Sequence, residues 1–234
     1  MLKLVSRRRA LVRARWAEWT FGVGLLLYMA LAVLAHRYAY FAWDVTVAHR
    51  IQSITAPGFE SLMFFLSELG SGWAPVVLVG ATGALLALKG LRLEALIAVA
   101  GPGLGLAMNS LLKAIIGRPR PPETLVHVVE RYAYFSFPSG HVTFYVEFFG
   151  FLLFLCFALL RREALRWATV AVLGGAIALI GVSRVYMGAH WPSDVAGAYL
   201  AGGIWLLGMI EVYRRRTAGQ KDFAATRSAG RGPA

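Results

Sequence analysis

Six apolar, sparsely charged stretches, each about as long as a bilayer crossing, constrain this chain more than any other feature: about Trp19–Ala35, Phe59–Leu88, Leu93–Ile116, Val142–Leu160, Trp167–Val185 and Val195–Tyr213. A helix needs roughly 20 apolar residues to cross the hydrocarbon core, and backbone groups in lipid must be satisfied within the segment. With 58% hydrophobic and 15% charged residues, the composition departs from the soluble average of about 45–50% apolar and about 25% charged. The expected fold is therefore all-α: a polytopic membrane protein with six transmembrane helices in one bundle. The stretch from Trp43 to Ile54 is too short and too polar to span, and its pattern fits a short interfacial helix after the first span. Residues 1–18 read as a basic cytoplasmic amino terminus, 19–213 as the membrane domain, and 214–234 as a disordered basic cytoplasmic tail.

Basic residues set the orientation. The net charge is +12, and seventeen of the 24 lysines and arginines fall at the amino end, the second-to-third and fourth-to-fifth connections and the carboxyl end. Positive charge favours the cytoplasmic side, so both termini are expected inside. The same residues form no stripe interleaved with exposed aromatics, which argues against nucleic acid as a partner. The basic start and first apolar stretch lack a small-x-small cleavage pattern and are read as a span, not a leader. Cys156, the one cysteine, lies inside an apolar run and is assigned to packing.

Lys113, Arg118, Arg120 and Arg184 are on the side where the topology rule does not want them. They belong to three clusters at the outer ends of spans three to six. Six residues separate Lys113 from Arg120-Pro121, with Arg118-Pro119 just before. Pro138-Ser139-Gly140-His141 opens span four. Ser183-Arg184, five residues, His190, three residues and Asp194 bridge spans five and six.

These residues suit a phosphoryl group. Lys113, Arg120 and Arg184 can neutralise charge spread over phosphate oxygens. Ser139 can cap span four while Gly140 allows close backbone approach, and free N–H groups there favour an anion. A neutral imidazole can attack phosphorus when its second nitrogen donates to a carboxylate. Pro192 at the start of span six puts Asp194 in the first turn beside His190, which makes His190 the candidate nucleophile and Asp194 its orienting partner. His141 is free to protonate the leaving oxygen and then activate water. Arg118 is a further phosphate-facing candidate.

At these positions the chain resembles the type 2 phosphatidic acid phosphatase superfamily, whose three-part signature is matched by Lys113/Arg120-Pro121, Pro138-Ser139-Gly140-His141 and Ser183-Arg184/His190/Asp194. The resemblance implies a six-helix membrane fold and hydrolysis of lipid phosphates or diphosphates of the undecaprenyl diphosphate, phosphatidate or phosphatidylglycerol phosphate type. It implies no cofactor and no metal. It also implies the catalytic roles above, with phosphate held by Lys113, Arg120, Ser139, Gly140 and Arg184. A bacterial inner membrane with the site on the periplasmic or extracellular face is the expected location. Lipid-to-lipid phosphotransfer and plain anionic-lipid binding are the alternatives.

Other residues are discounted. Glu147 is six residues past His141, about 240° round the helix, and is assigned a structural hydrogen bond off that histidine's face, with a substrate contact as the alternative. Glu68 is set aside with it. Asn109 either orients Lys113 or packs between helices. The glycines from Gly101 to Gly105 are read as close packing or a kink. His36, His49 and His127 are read as interfacial.

Overall fold

The structure is a computed structural model that describes the backbone of residues 2–229 and the side chains of residues 18–218. The described residues are helical, without a strand. In chain order they form α1 (Leu2–Arg37), α2 (Ala42–Gln52), α3 (Phe59–Leu69), α4 (Ala74–Leu88), α5 (Arg92–Ile116) and α6 (Gly140–Leu159). Helix α7 (Glu163–Thr169) runs through a π turn at Val170–Gly174 into α8 (Gly175–Tyr186), and α9 (Pro192–Ala229) closes the chain. Among the described residues, five helical segments are long and apolar enough to cross a membrane: Glu18–Arg37, Arg92–Ile116, Gly140–Leu159, Glu163–Tyr186 and Pro192–Ala218. The pair α3 and α4, bent by 64°, passes the same test when taken together, as a sixth candidate span. The break falls at Gly70-Ser71-Gly72, where Gly72 takes φ +54°, a conformation that favours glycine.

Helix α6 is the centre of the bundle. It is 56% buried, against 17–33% for the other single spans, and it packs on α5, α8 and α9. Its aromatic run makes this possible, because Phe144, Tyr145, Phe148 and Phe149 stack on one another over a core that includes Met63, Ile180 and Trp191. Glycines let the neighbours come close. A Cβ at Gly150 would meet Leu206 at 2.6 Å, and one at Gly101 would meet Met209 at 2.3 Å, so Gly101 and Gly150 are close-packing points, as small residues in membrane helices often are.

The interfacial helix is present as α2, which packs on α8 and α9. Asp44 is fully buried there and accepts the Phe41 N–H at 3.0 Å, closing the first turn. Helix α5 ends at Gly117 with φ +67°, the left-handed glycine stop. The prolines that follow keep residues 117–139 from continuing it.

The carboxyl end departs from expectation. Helix α9 continues to Ala229 through most of the segment expected to be a disordered tail. Residues 218–229 hold four alanines with Arg, Lys and Gln and no proline, and such residues have high helix propensity. Residues 230–234 lie outside the described residues.

Candidate active site

Four helix ends meet at one end of the bundle: the end of α5, the start of α6, the end of α8 and the start of α9. Between α4, α5 and α6 lies a cavity of about 870 Å³ whose polar end is formed by Lys113, Arg120, Gly140, His141 and His190. Ser139, Arg184 and Asp194 are fully buried next to it. All eight candidates thus gather at one place from positions up to 81 residues apart in sequence.

His190 sits in the short link between α8 and α9 and is 3% exposed. Its Nε2 is 3.3 Å from the Arg120 guanidinium. Guanidinium nitrogens only donate, so Nε2 is the unprotonated acceptor and the ring proton is on Nδ1. That face meets the Ser136 hydroxyl at 3.3 Å and the Asp194 carboxylate at 3.6 Å. Ser136 Oγ donates to Asp194 Oδ2 at 2.5 Å. The expected carboxylate–imidazole contact is therefore longer than a hydrogen bond, with a serine hydroxyl beside it that sequence reasoning missed. Ser136 belongs to no spacing that would have marked it.

Asp194 is held from every side. Its Oδ2 accepts the Trp191 N–H at 2.8 Å, the reach-back expected of an acid in the first turn of α9. Its Oδ1 pairs with Arg118 at 2.5 Å. Arg118 corrects one expectation: it does not face the cavity. It is 1% exposed and directed to Asp44 at 3.1 Å, Asp194, Ser193 Oγ at 2.7 Å and the Tyr38 carbonyl at 3.2 Å. With two buried carboxylates on its guanidinium, it supports Asp194 from the far side. Asp44, also missed, donates nothing to the cavity itself but links α2 to this pair and accepts from Ser193 at 2.7 Å.

The cations are arranged as follows. Lys113 donates to the carbonyls of Phe135 and Ser136 at 2.9 and 3.0 Å. Arg120 donates to the Ala189 carbonyl at 2.6 Å and stacks on Tyr132 at 4.6 Å. Arg184 is fully buried, pairs with Glu130 at 3.0 Å and donates to Ser67 and Tyr132. Among the described residues its Nε has no hydrogen-bond partner, and neither has the buried Ser139 hydroxyl. Ser139 sits at the cap position of α6 with an extended backbone but makes no side-chain cap bond, contrary to expectation. Two buried donors without acceptors among the described residues lie beside three cations, an arrangement that favours an anion.

His141, in the first turn of α6, has Nε2 2.9 Å from Ser71 Oγ. A Cβ on Gly70 would fall 2.4 Å from the His141 ring, so the break between α3 and α4 is shaped around this imidazole. Asn109 does not orient Lys113; its amide donates to Thr143 Oγ1 at 3.1 Å, an interhelical bond. Glu68 is exposed. His36 and His49 meet the Ile116 and Leu125 carbonyls.

Outside the membrane spans, charge and burial act on two groups. Burial lowers the pKa of His190 well below the ordinary histidine value, and the charges of Lys113, Arg120, Arg184 and His141 lower it further. The ring is held neutral. Burial raises Glu130, but Arg184 and hydrogen bonds from Ser67 and Tyr132 outweigh it and hold the carboxyl below its ordinary value. Glu130 is thus an anion resting on Arg184.

Comparison with known proteins agrees with this geometry. Over 179 residues the chain is 28% identical to phosphatidylglycerophosphatase B of Bacillus subtilis, covering 76% of this chain and 86% of that one. It is 33% identical over 159 residues to decaprenylphosphoryl-5-phosphoribose phosphatase of Mycobacterium tuberculosis, covering 65% and 81%. The crystal structure of a transmembrane PAP2 type phosphatidylglycerolphosphate phosphatase from Bacillus subtilis superposes with a TM-score of 0.73 at 23% identity, over 84% of this chain and 97% of that one. The PAP2 superfamily profile matches residues 94–218, a stretch that holds all three clusters and more than half the chain, and this chain is an integral membrane member of the PAP2 superfamily.

Proposed function

We propose that this protein is a phosphatase that hydrolyses lipid phosphates or diphosphates through a phosphohistidine on His190. The observation that carries the reading is the His190 ring itself: Nε2 faces a cation-lined cavity, while Nδ1 is backed by Ser136 and Asp194. Nε2 attacks phosphorus in line, the lipid oxygen leaves, and His141 supplies the proton it needs. His141 then takes a proton from water, whose oxygen attacks the phosphohistidine and releases inorganic phosphate, restoring neutral His190. Lys113, Arg120 and Arg184, with the Ser139 hydroxyl and the Gly140 backbone, stabilise the equatorial oxygens in both steps. With that positive charge in place, the reaction is proposed to need no metal.

A lipid substrate is supported by the rest of the cavity, whose walls below the cations are apolar side chains such as Val76, Val79, Val99, Leu106 and Phe144. The named relatives act, by their names, on phosphatidylglycerophosphate and on a decaprenyl-linked phosphate. Phosphatidate, phosphatidylglycerol phosphate and undecaprenyl diphosphate are the substrates to assay. The distribution of Lys and Arg supports a bacterial inner membrane with both termini cytoplasmic and the site periplasmic.

Phosphate release from these three lipids by protein purified in detergent tests the reading. Turnover is expected, undiminished by EDTA and lost at least about a thousandfold in His190→Ala and His141→Ala. Normal turnover in His190→Ala overturns the mechanism.

A further inference from the structure

Glu147 lines the same cavity as His141, although the helical wheel places the two residues on different faces. The cavity stripe on α6 is Gly140, Thr143, Phe144 and Glu147, at helical spacing, and His141 reaches it from the edge. The Glu147 side chain is 1% exposed, Oε2 has no hydrogen-bond partner, and the carboxyl forms no ion pair among the described residues. It rests in a notch left by Gly105, where an added Cβ would fall 1.9 Å from Oε2. A buried polar atom without a partner is costly, and none of the steps proposed above uses this one.

Its depth shows what would bond to it. Six residues separate His141 from Glu147, or about 9 Å along α6, and the carboxyl leans back toward the start of the helix. A lipid whose phosphorus sits between His141 and His190 therefore passes Glu147 within its first several bonds. In a polyprenyl phosphate that stretch is hydrocarbon, with nothing to accept or donate a hydrogen bond. In a diacylglycerol phosphate it carries ester carbonyls. A protonated carboxyl offers one O–H donor to such a carbonyl.

We infer that Glu147 is a specificity-determining residue that bonds an ester carbonyl of a glycerolipid phosphate, making diacylglycerol phosphates the preferred substrate class. The inference rests on the lipid phosphatase reading and adds the polar subsite below the phosphate.

Purified protein is assayed with dioleoyl phosphatidate, its dialkyl ether analogue without carbonyls, farnesyl phosphate, and the small ester p-nitrophenyl phosphate. The wild type should favour the diester over the ether about five- to tenfold in kcat/KM, the size of one neutral hydrogen bond. Glu147→Gln keeps an uncharged donor and should retain the preference. Glu147→Leu should abolish it, read as the ratio of ester to ether kcat/KM in each variant, with p-nitrophenyl phosphate turnover reporting that the phosphate end of the site is intact. Equal use of ester and ether lipid by the wild type, or an unchanged preference in Glu147→Leu, overturns the subsite and leaves the phosphatase reading standing. If the wild type hydrolyses no lipid phosphate, that reading fails and this one with it.

Discussion

Between the imidazole of His190 and the carboxylate of Asp194 stands the hydroxyl of Ser136, 3.3 Å from one and 2.5 Å from the other. Because the direct gap is 3.6 Å, the hydroxyl takes part in fixing the ring. Ser136→Ala should lower kcat by about tenfold with little change in KM, the pattern of an interaction that orients a reacting group; an unchanged kcat would assign the ring's position to Asp194 alone. The protonation of His190 gives a second prediction at this scale. Burial, then Lys113 and Arg120, lower its pKa, so the ring stays neutral and nucleophilic as the pH falls through the ordinary value of about 6.5. The acid limb of kcat/KM should therefore lie below pH 6.5. Arg120→Gln removes one cation that lowers the pKa, so the limb should move to higher pH even though the rate drops; a limb that stays put contradicts this electrostatic account. The convergence of Lys113, Arg120, His141, Arg184, His190 and Asp194 on one candidate site was legible, because they sit in short motifs with fixed spacing. Arg118 was misread for a physical reason: an arginine beside a phosphate motif looks the same in sequence whether it faces the cavity or the two carboxylates behind it.

At the level of elements, α2 and the break between α3 and α4 do more than connect. Helix α2 delivers Asp44 to Arg118 and Ser193, a contact between segments separated by 149 positions that no local pattern encodes. Asp44→Ala leaves Arg118 buried with Asp194 as its remaining carboxylate. Breaking a buried pair from one side costs about 3–5 kcal/mol, so the melting temperature in detergent should fall by several degrees and activity with it. A variant as stable and active as the wild type would detach α2 from the site. At the break, Gly70 matters through space, not φ, since its φ of −101° is open to any residue. A Cβ there overlaps the His141 ring. Gly70→Ala should cut turnover by about tenfold or more with a small change in melting temperature, read by comparing the two measurements. The helices themselves were legible from apolar length. Their bends were only partly so: Gly70 and Gly72 stand at the break after Leu69, while the π turn at Val170–Gly174 has no glycine or proline before Gly174 to mark it.

For the whole molecule, aromatic side chains frame the bundle at both ends. Trp43, Trp73 and Tyr134 are exposed near the site, and Trp19 and Trp167 at the opposite end, the arrangement expected at two membrane interfaces. The orientation of that frame is a proposal from charge, and it can be read directly. Arg131 and Arg215 are each 78% exposed on their side chains, and Cys156 is buried. In intact cells an impermeant maleimide should label Arg131→Cys, while Arg215→Cys should react only after permeabilisation; the reverse pattern would put the cavity on the cytoplasmic side. What the whole-molecule view rests on is still a single bond, the one between His190 Nε2 and phosphorus. Protein turning over a lipid phosphate labelled in its terminal phosphoryl group, quenched in alkaline detergent and digested, should yield a base-stable, acid-labile phosphoryl group on the peptide holding His190, and none in His190→Ala. Active enzyme whose label maps to another residue would contradict the account.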